Sequence, residues 1–146
     1  MANARYTKAR TRFARGDIVW KALGGDTIRA FLVNSALYTP DLAIDEFLSD
    51  IPVASRAGNL GGTARGNAPA LTLLDPDEGY VKSQDVTFTA IPGVTTLSLL
   101  LIFKDDGLAD ASSPLIALID NGAGLPVTTN GTDIEIKWVL NRIFRV

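Results

Sequence analysis

The run TTLSLLLIFKD, at residues 95–105, decides the fold class of this chain. Its central positions are apolar one after another, and PLIALID at residues 114–120 repeats the pattern. A half-buried strand alternates apolar and polar side chains, whereas a strand covered on both faces does not. The two runs therefore predict strands that lie in the middle of a sandwich or against a partner.

Further strands are predicted on both sides of these two runs. DIVWKAL and TIRAFLV, at residues 17–23 and 27–33, are separated by GGD, which predicts a hairpin. ALTLL (70–74) and DVTFTAI (85–91) also resemble strands, and DIEIKWV (133–139) alternates strictly. RIFRV (142–146) predicts an edge strand, and ASRAG a short one. About eight strands with regular turns predict a mainly β fold, a β-sandwich or a small β-barrel.

The first sixteen residues predict an amphipathic helix. Apolar residues recur there at spacings of four, three and four, which places them on one face: Ala2, Tyr6, Ala9 and Phe13. Asn3 is predicted to cap the start of the helix, and Gly16 to end it in a left-handed conformation. We therefore divide the chain into a basic helix at residues 1–16 and a single β-rich domain at residues 17–146. One or two helical turns are also predicted over Ala43 to Leu48.

This predicted helix carries an unusual charge. Five cations precede the first acidic residue, Asp17, in a chain of 146 residues with net charge −2, which leaves nine bases and sixteen acids elsewhere. Four of the five form a stripe about 100° from the apolar one: Arg5, Lys8, Arg12 and Arg15. The stripe fits a solvated face, docking on an acidic protein surface, or phosphate contacts with nucleic acid. The acidic body would repel a polyanion, so we expect no nucleic-acid partner.

Composition limits the chemistry that this chain can perform. It has no cysteine and no histidine, which excludes thiolate nucleophiles, Ser-His-Asp triads and zinc sites built on Cys or His. We therefore expect a protein that is not an enzyme and uses no cofactor. No stretch approaches the ~20 apolar residues of a membrane-spanning helix, and no secretory signal is evident. The expectation is synthesis in the cytoplasm, with no membrane partner.

The run NLGGTARGNAP, at residues 59–69, predicts a long exposed loop or a mobile arm. Its glycines, Gly61, Gly62 and Gly66, lack the context of a phosphate-binding motif. Its one cation, Arg65, is a candidate for partner binding. Trp20 and Trp138 lie in strand patterns and are predicted core residues. Trp20, which is nearer to the basic helix, is the better candidate to anchor a contact.

Two runs have closely spaced acidic residues before a glycine, as calcium-binding loops do: DPDEG (75–79) and KDDG (104–107). DPDEG contains a proline and lacks the closing glutamate of an EF-hand loop, so a turn between strands is favoured. A paired-carboxylate glycosidase site is conceivable in any acidic β-protein. No pair stands out here, and we predict no catalytic or metal-binding residues.

Several runs together resemble a family of small β-rich structural proteins of tailed bacteriophages. They are DTIRAFLVNSALYTPDLAIDEFLSDIP, DVTFTAI, LLLIFKDDG, PLIALIDNGAGLPVTTNGTDIEIKW and the terminal IFRV. In order and spacing the resemblance extends from about Tyr6 to Val146. It implies a virion component of the capsid cement, or decoration, type. Such a protein lies on the capsid surface, binds the major capsid protein and forms a small homo-oligomer, a dimer or a trimer.

In that setting Arg5, Lys8, Arg12 and Arg15 would contact acidic patches on the shell or on an adjacent copy, and Trp20 and Arg65 are further candidates for partner binding. Two alternatives remain open. One is a tail, neck or fibre-associated virion protein. The other is a glycan-binding or glycan-cleaving β-domain, which the eleven aromatic residues, mostly in strand-core phase, disfavour.

Overall fold

A computed structural model describes residues 3–146. It contains twelve short strands, which are β1 (Ala4–Arg5), β2 (Ile28–Val33), β3 (Arg56–Ala57), β4 (Leu73–Asp77), β5 (Tyr80–Ser83), β6 (Val86–Phe88), β7 (Thr96–Leu97), β8 (Leu99–Lys104), β9 (Leu115–Ile119), β10 (Val127–Thr128), β11 (Ile134–Ile136) and β12 (Arg142–Arg145). One α-helix, α1 (Thr7–Arg15), lies between β1 and β2. Six 3₁₀ turns complete the described elements: Leu48–Asp50, Val53–Ser55, Asn59–Gly61, Arg65–Asn67, Asp110–Ser112 and Val139–Asn141.

The largest sheet has five antiparallel strands in the order β1-β9-β8-β2-β3. All five residues of β9 are buried, as are residues 99–103 of β8. The prediction that these two apolar runs form strands covered on both faces is thus confirmed. Phe31 of β2 stacks on Phe103 of β8 at a centroid distance of 5.6 Å in the middle of this core.

Three smaller sheets surround the five-stranded one. They pair β7 with β10, β6 with β11, and β4, β5 and β12 in the order β12-β5-β4. In β11 the alternation predicted from sequence is confirmed, since Ile134 and Ile136 are buried and Glu135 is exposed. The predicted mainly β fold with one N-terminal helix is confirmed. The sheets are open, so of the two predicted architectures the sandwich-like one, and not the barrel, agrees with the structure.

The predicted strand over residues 17–23 is wrong. The 17–27 segment has no strand, because its backbone groups find partners in turns and in distant side chains. Asp26 accepts a hydrogen bond from the amide of Val19 and donates its own amide to the Val19 carbonyl. Asp75 accepts from the amide of Ala22. These bonds take the place of a strand ladder.

Two other local predictions also change. No α-helical turn forms over residues 43–48; a turn at 42–44 is followed by a bridge at Phe47 and the 3₁₀ turn Leu48–Asp50. Most of DPDEG belongs to β4, so the hairpin to β5 turns at Glu78 and Gly79 rather than over the whole run. The edge position predicted for RIFRV is confirmed, because β12 lies at one side of its sheet.

The glycine-rich 59–69 segment is folded onto the domain rather than extended from it. The amide of Leu60 donates to the Thr89 carbonyl, and the Asn59 side chain accepts from the Thr89 amide. Ala68 is buried. The segment therefore has a defined path, in contrast to the predicted exposed loop or mobile arm. Within the described residues, no helix is long and apolar enough to cross a membrane.

Candidate interaction surface

Helix α1 packs onto its own domain through its apolar face. Tyr6 and Ala9 are buried, and Phe13 meets Phe144 of β12 edge to face at 6.3 Å. Gly16 ends the helix at φ 78°, as predicted. Asn3 is not the N-cap, because its side chain instead bonds the backbone of residues 120 and 121 after β9. The predicted contribution of Ala2 lies outside the described residues.

A buried hydrogen-bond chain fastens the start of this helix. The Tyr6 hydroxyl lies 2.8 Å from that of Tyr38, which donates to Oδ2 of Asp45 at 2.7 Å. Burial raises the pKa of both phenols above the ordinary tyrosine value. Folding therefore favours the protonated form of both hydroxyls.

Most of the predicted cationic stripe is paired inside the molecule. Lys8 and Arg12 donate to the two carboxylate oxygens of Glu46, at 2.8 and 2.6 Å, and Arg12 also lies over the Phe47 ring. These hydrogen bonds from Lys8 and Arg12 lower the pKa of Glu46. Arg15 pairs with Asp17 at 2.6 Å. The acidic loop at residues 41–50 thus lies beside α1 and complements its charge.

The other two cations of this region differ. Arg5 belongs to β1 rather than to the helix, because its backbone pairs with Ala117 of β9. Arg10, which the predicted stripe omitted, is exposed on α1. Neither makes an ion pair within the part of the chain that the structure describes.

Trp20 is a core residue and is only 5% exposed. Its indole N–H donates to the Lys82 carbonyl at 2.8 Å, and its ring meets Phe144 edge to face. The structure thus places Trp20 in the core, against the same Phe144 ring that Phe13 of α1 meets, and not on an exposed surface. Trp138 is also buried.

Arg65 belongs to a chain of alternating charges. Its Nε donates to Asp105 and its Nη1 to Asp110, at 2.7 and 3.2 Å. Arg29 donates to the other oxygen of Asp105, and the buried Arg56 donates to the other oxygen of Asp110. This arginine network, defined as Arg29, Arg56, Arg65, Asp105 and Asp110, joins β2, β3, the glycine-rich segment and the loop after β8. We found no sequence pattern that predicts it.

Two carboxylates of this region, those of Asp105 and Asp106, have lowered pKa values. Burial would raise the pKa of Asp105, but the Gly107 amide and the guanidinium groups of Arg29 and Arg65 outweigh it, and the pKa is lowered. Ser112, the Leu108 amide and Ser113 lower the pKa of Asp106 to about 2, and of the two serines it is Ser113 whose hydroxyl donates to Asp106 Oδ1, at 3.1 Å. No group of acidic side chains in residues 3–146 is arranged to hold a metal ion.

Large apolar side chains are exposed at the turns of the molecule. Among the described residues, ten such side chains are more than half exposed, and all lie outside the strands and α1: Leu23, Leu37, Ile44, Val53, Leu60, Val94, Leu108, Val139, Leu140 and Val146. Solitary exposed apolar residues are ordinary. Because these ten side chains are concentrated at turns, the large exposed apolar groups of the protein lie on its loops.

Two of these side chains combine exposure with backbone strain. Leu60 (φ 57°) and Leu140 (φ 55°) occupy the left-handed region and are 67% and 71% exposed. That conformation costs a residue with a Cβ about 1–2 kcal/mol. They are held near opposite ends of β6, since the Leu60 amide bonds Thr89 and the Trp138 amide bonds Asp85. We call them the left-handed leucines.

A scan against protein-family models finds no match for this chain, and a search of curated protein sequences finds none either.

Proposed function

We propose that this chain is a structural protein of a tailed-bacteriophage virion, a capsid cement protein that binds the major capsid protein at the capsid surface. In this proposal the protein acts as a small homo-oligomer, a dimer or a trimer, and not as an enzyme. The family resemblance of the sequence supports the phage setting. The left-handed leucines support an adhesive role.

The left-handed leucines carry the proposal for a physical reason. Each places an apolar side chain in water and holds a strained backbone, and both features cost the monomer free energy. Burial of the two leucine side chains against a partner would recover the free energy that their exposure to water costs. About 13 Å of strand separates the residues that hold them, so the two leucines would form two separate apolar contacts with the shell. A protein that bridges adjacent capsid subunits needs two such contacts.

Ion pairing within the monomer limits how much the cations of α1 can contribute to attachment. Lys8, Arg12 and Arg15 have intramolecular partners, and the bonds of Lys8 and Arg12 to Glu46 join the helix to its own domain. Arg5 and Arg10 keep their charge available to an acidic partner. We therefore propose apolar contacts as the main source of affinity, with a minor salt-sensitive contribution from these two arginines.

The test has two stages. Mass spectrometry of purified virions from the phage that encodes this chain should detect the protein, and image reconstruction should place it on the shell. Purified protein should then co-sediment with shells that lack it. Leu60→Gly and Leu140→Gly should each lower occupancy, and the double variant should abolish it, whereas Arg12→Met should bind as wild type.

Absence of the protein from mature virions would overturn the proposal. Density confined to the tail, neck or fibres would replace it with the alternative virion role. Full occupancy by the double leucine variant would show that the left-handed leucines do not form the contact.

A further inference from the structure

Arg56 and Arg65 line an open groove of about 430 Å³ beside the glycine-rich segment, together with Val53, Thr63 and Asp110. We propose that this groove binds one oxyanion group, a carboxylate or a phosphate. The site lies in the isolated chain, so it stands or falls independently of the proposed capsid role.

The charges of the arginine network leave a cation in excess. Its three guanidinium groups face two carboxylates, those of Asp105 and Asp110, and each carboxylate bridges two arginines. The neighbouring carboxylate of Asp106 is turned away onto the amides of Leu108 and Ala109 and makes no ion pair with the network. One more anion would therefore balance the network.

Arg65 has donor capacity left over at the groove. Its Nε and Nη1 are used, whereas its Nη2 donates to no residue that the structure describes. The side chain is 20% exposed, so this edge is within reach of a ligand. The N–H groups along one edge of a guanidinium can donate, in one plane, to two oxygens of a carboxylate or phosphate. Thr63, whose hydroxyl bonds no described residue, adds a second donor to the same groove.

Arg56, which lines the groove, also has an N–H group without a partner among the described residues. Its side chain is 1% exposed, with Nη1 bonded to Asp110 and Nη2 to the carbonyls of Leu48 and Ile51. Its Nε is buried and has no hydrogen-bond partner among the described residues. A buried guanidinium with an unused N–H strengthens the positive potential of the groove that it lines.

The one carboxylate in the groove does not block this use. Both oxygens of Asp110 already accept from arginines, Oδ2 from Arg56 and Oδ1 from Arg65. An incoming oxyanion would therefore pair with the free edge of Arg65 and leave Asp110 in place.

The test is an NMR titration of the intact protein. Sodium acetate, sodium phosphate and sodium chloride are added at matched ionic strength, and the amides of residues 63–66 and the Arg65 Nε–H are followed. Saturable shifts with acetate or phosphate, beyond those with chloride, are expected. A preference for acetate would identify an acidic side chain as the natural ligand, and a preference for phosphate a phosphoryl group. Shifts no larger than those with chloride overturn the proposal.

Two variants and one control sharpen the test. Arg65→Lys keeps the charge but loses the planar fork, and it should weaken binding at least tenfold. Thr63→Val leaves the arginine network intact and should weaken binding about threefold; it serves where Arg65→Lys disturbs the fold. Arg10→Gln removes an exposed cation far along the chain and should bind as wild type. Equal affinity in Thr63→Val and a folded Arg65→Lys would refute the site.

Discussion

Arg12 donates from Nη2 to Oε1 of Glu46 across 2.6 Å, and this pair fastens α1 to the loop that follows β2. The guanidinium is 14% exposed and also lies over Phe47, whereas Lys8, the second partner of Glu46, is 45% exposed. Buried charged hydrogen bonds contribute more than exposed ion pairs. We expect Arg12→Met to lower the free energy of unfolding by about 1–2 kcal/mol and Lys8→Met by less than about 0.5 kcal/mol. Urea unfolding compares them, and equal effects would contradict the assignment.

The chain from Tyr6 through Tyr38 to Asp45 predicts an ordered mutational series. Tyr6→Phe removes one neutral hydrogen bond and should cost about 1 kcal/mol. Tyr38→Phe should cost more, about 2–3 kcal/mol, because it also leaves the buried Tyr6 hydroxyl without its partner. The double variant should cost no more than Tyr38→Phe, since both polar groups are then gone. Thermal or urea unfolding of the three variants provides the measurement, and a strictly additive double variant would argue against the chain.

The same two phenols predict a limit to stability in alkali. Burial raises their folded pKa above the unfolded value of 10, so folding favours the protonated form. Their contribution is complete below pH 10 and is lost as the pH rises above it. Tyrosinate absorbance from Tyr6 and Tyr38 should therefore appear together with unfolding, as followed by circular dichroism. Ionisation of both in a folded protein would disprove this.

Gly58, just before the glycine-rich segment, and Gly66, within it, predict opposite outcomes. A Cβ on Gly58 would lie 2.5 Å from the carbonyl oxygen of Asn67, whereas a Cβ on Gly66 would meet nothing within 4 Å. Gly58→Ala should therefore destabilise the protein by about 1–3 kcal/mol. Gly66→Ala should be neutral or stabilise it by up to about 1 kcal/mol. The comparison of melting temperatures tests the folded path of the glycine-rich segment, and equal effects would favour a loose loop.

The left-handed leucines predict that stability and binding change in opposite directions. Leu60→Gly and Leu140→Gly relieve a strain of about 1–2 kcal/mol, which exceeds the entropic cost of about 0.5–1 kcal/mol for glycine. Neither variant should lower the unfolding free energy of the isolated protein. Leu23→Gly, at a more exposed position (86%) without positive φ, should lower it. Calorimetry on the three variants measures these changes in stability. Destabilisation by Leu60→Gly would show that backbone strain at this position does not outweigh the entropic cost of glycine.

Asp106 predicts part of the acid limb of the stability curve. Its folded pKa of about 2 lies below the unfolded value of 3.8, so its contribution is present above pH 3.8 and lost as the pH falls through about 2. Asp106→Asn should flatten the dependence of the urea midpoint on pH between these values, by up to one proton. An unchanged slope would show that the carboxylate is not held by Ser113 and the turn amides.

The pattern of apolar residues along the chain correctly predicted several elements of the fold. Four local patterns were confirmed: the continuous apolar runs of β8 and β9, the alternation of β11 and the apolar face of α1. The failed strand at residues 17–23 has the same apolar character. There, hydrogen bonds from Asp26 and Asp75 fix the backbone in turns. Periodicity cannot anticipate a competing acceptor that lies 53 residues away.

By itself the sequence determined that the chain forms a β-rich core behind a basic helix, because burial of apolar side chains follows their spacing along the chain. Only the tertiary structure decided what the charges and loops do. It paired the helix cations with Glu46 and Asp17, joined Arg65 to two aspartates, and held Leu60 and Leu140 in the left-handed region. Apart from the local pair of Arg15 and Asp17, these ion pairs depend on which distant residues the folded chain brings together. That proximity follows from the packing of the whole core and from no local pattern.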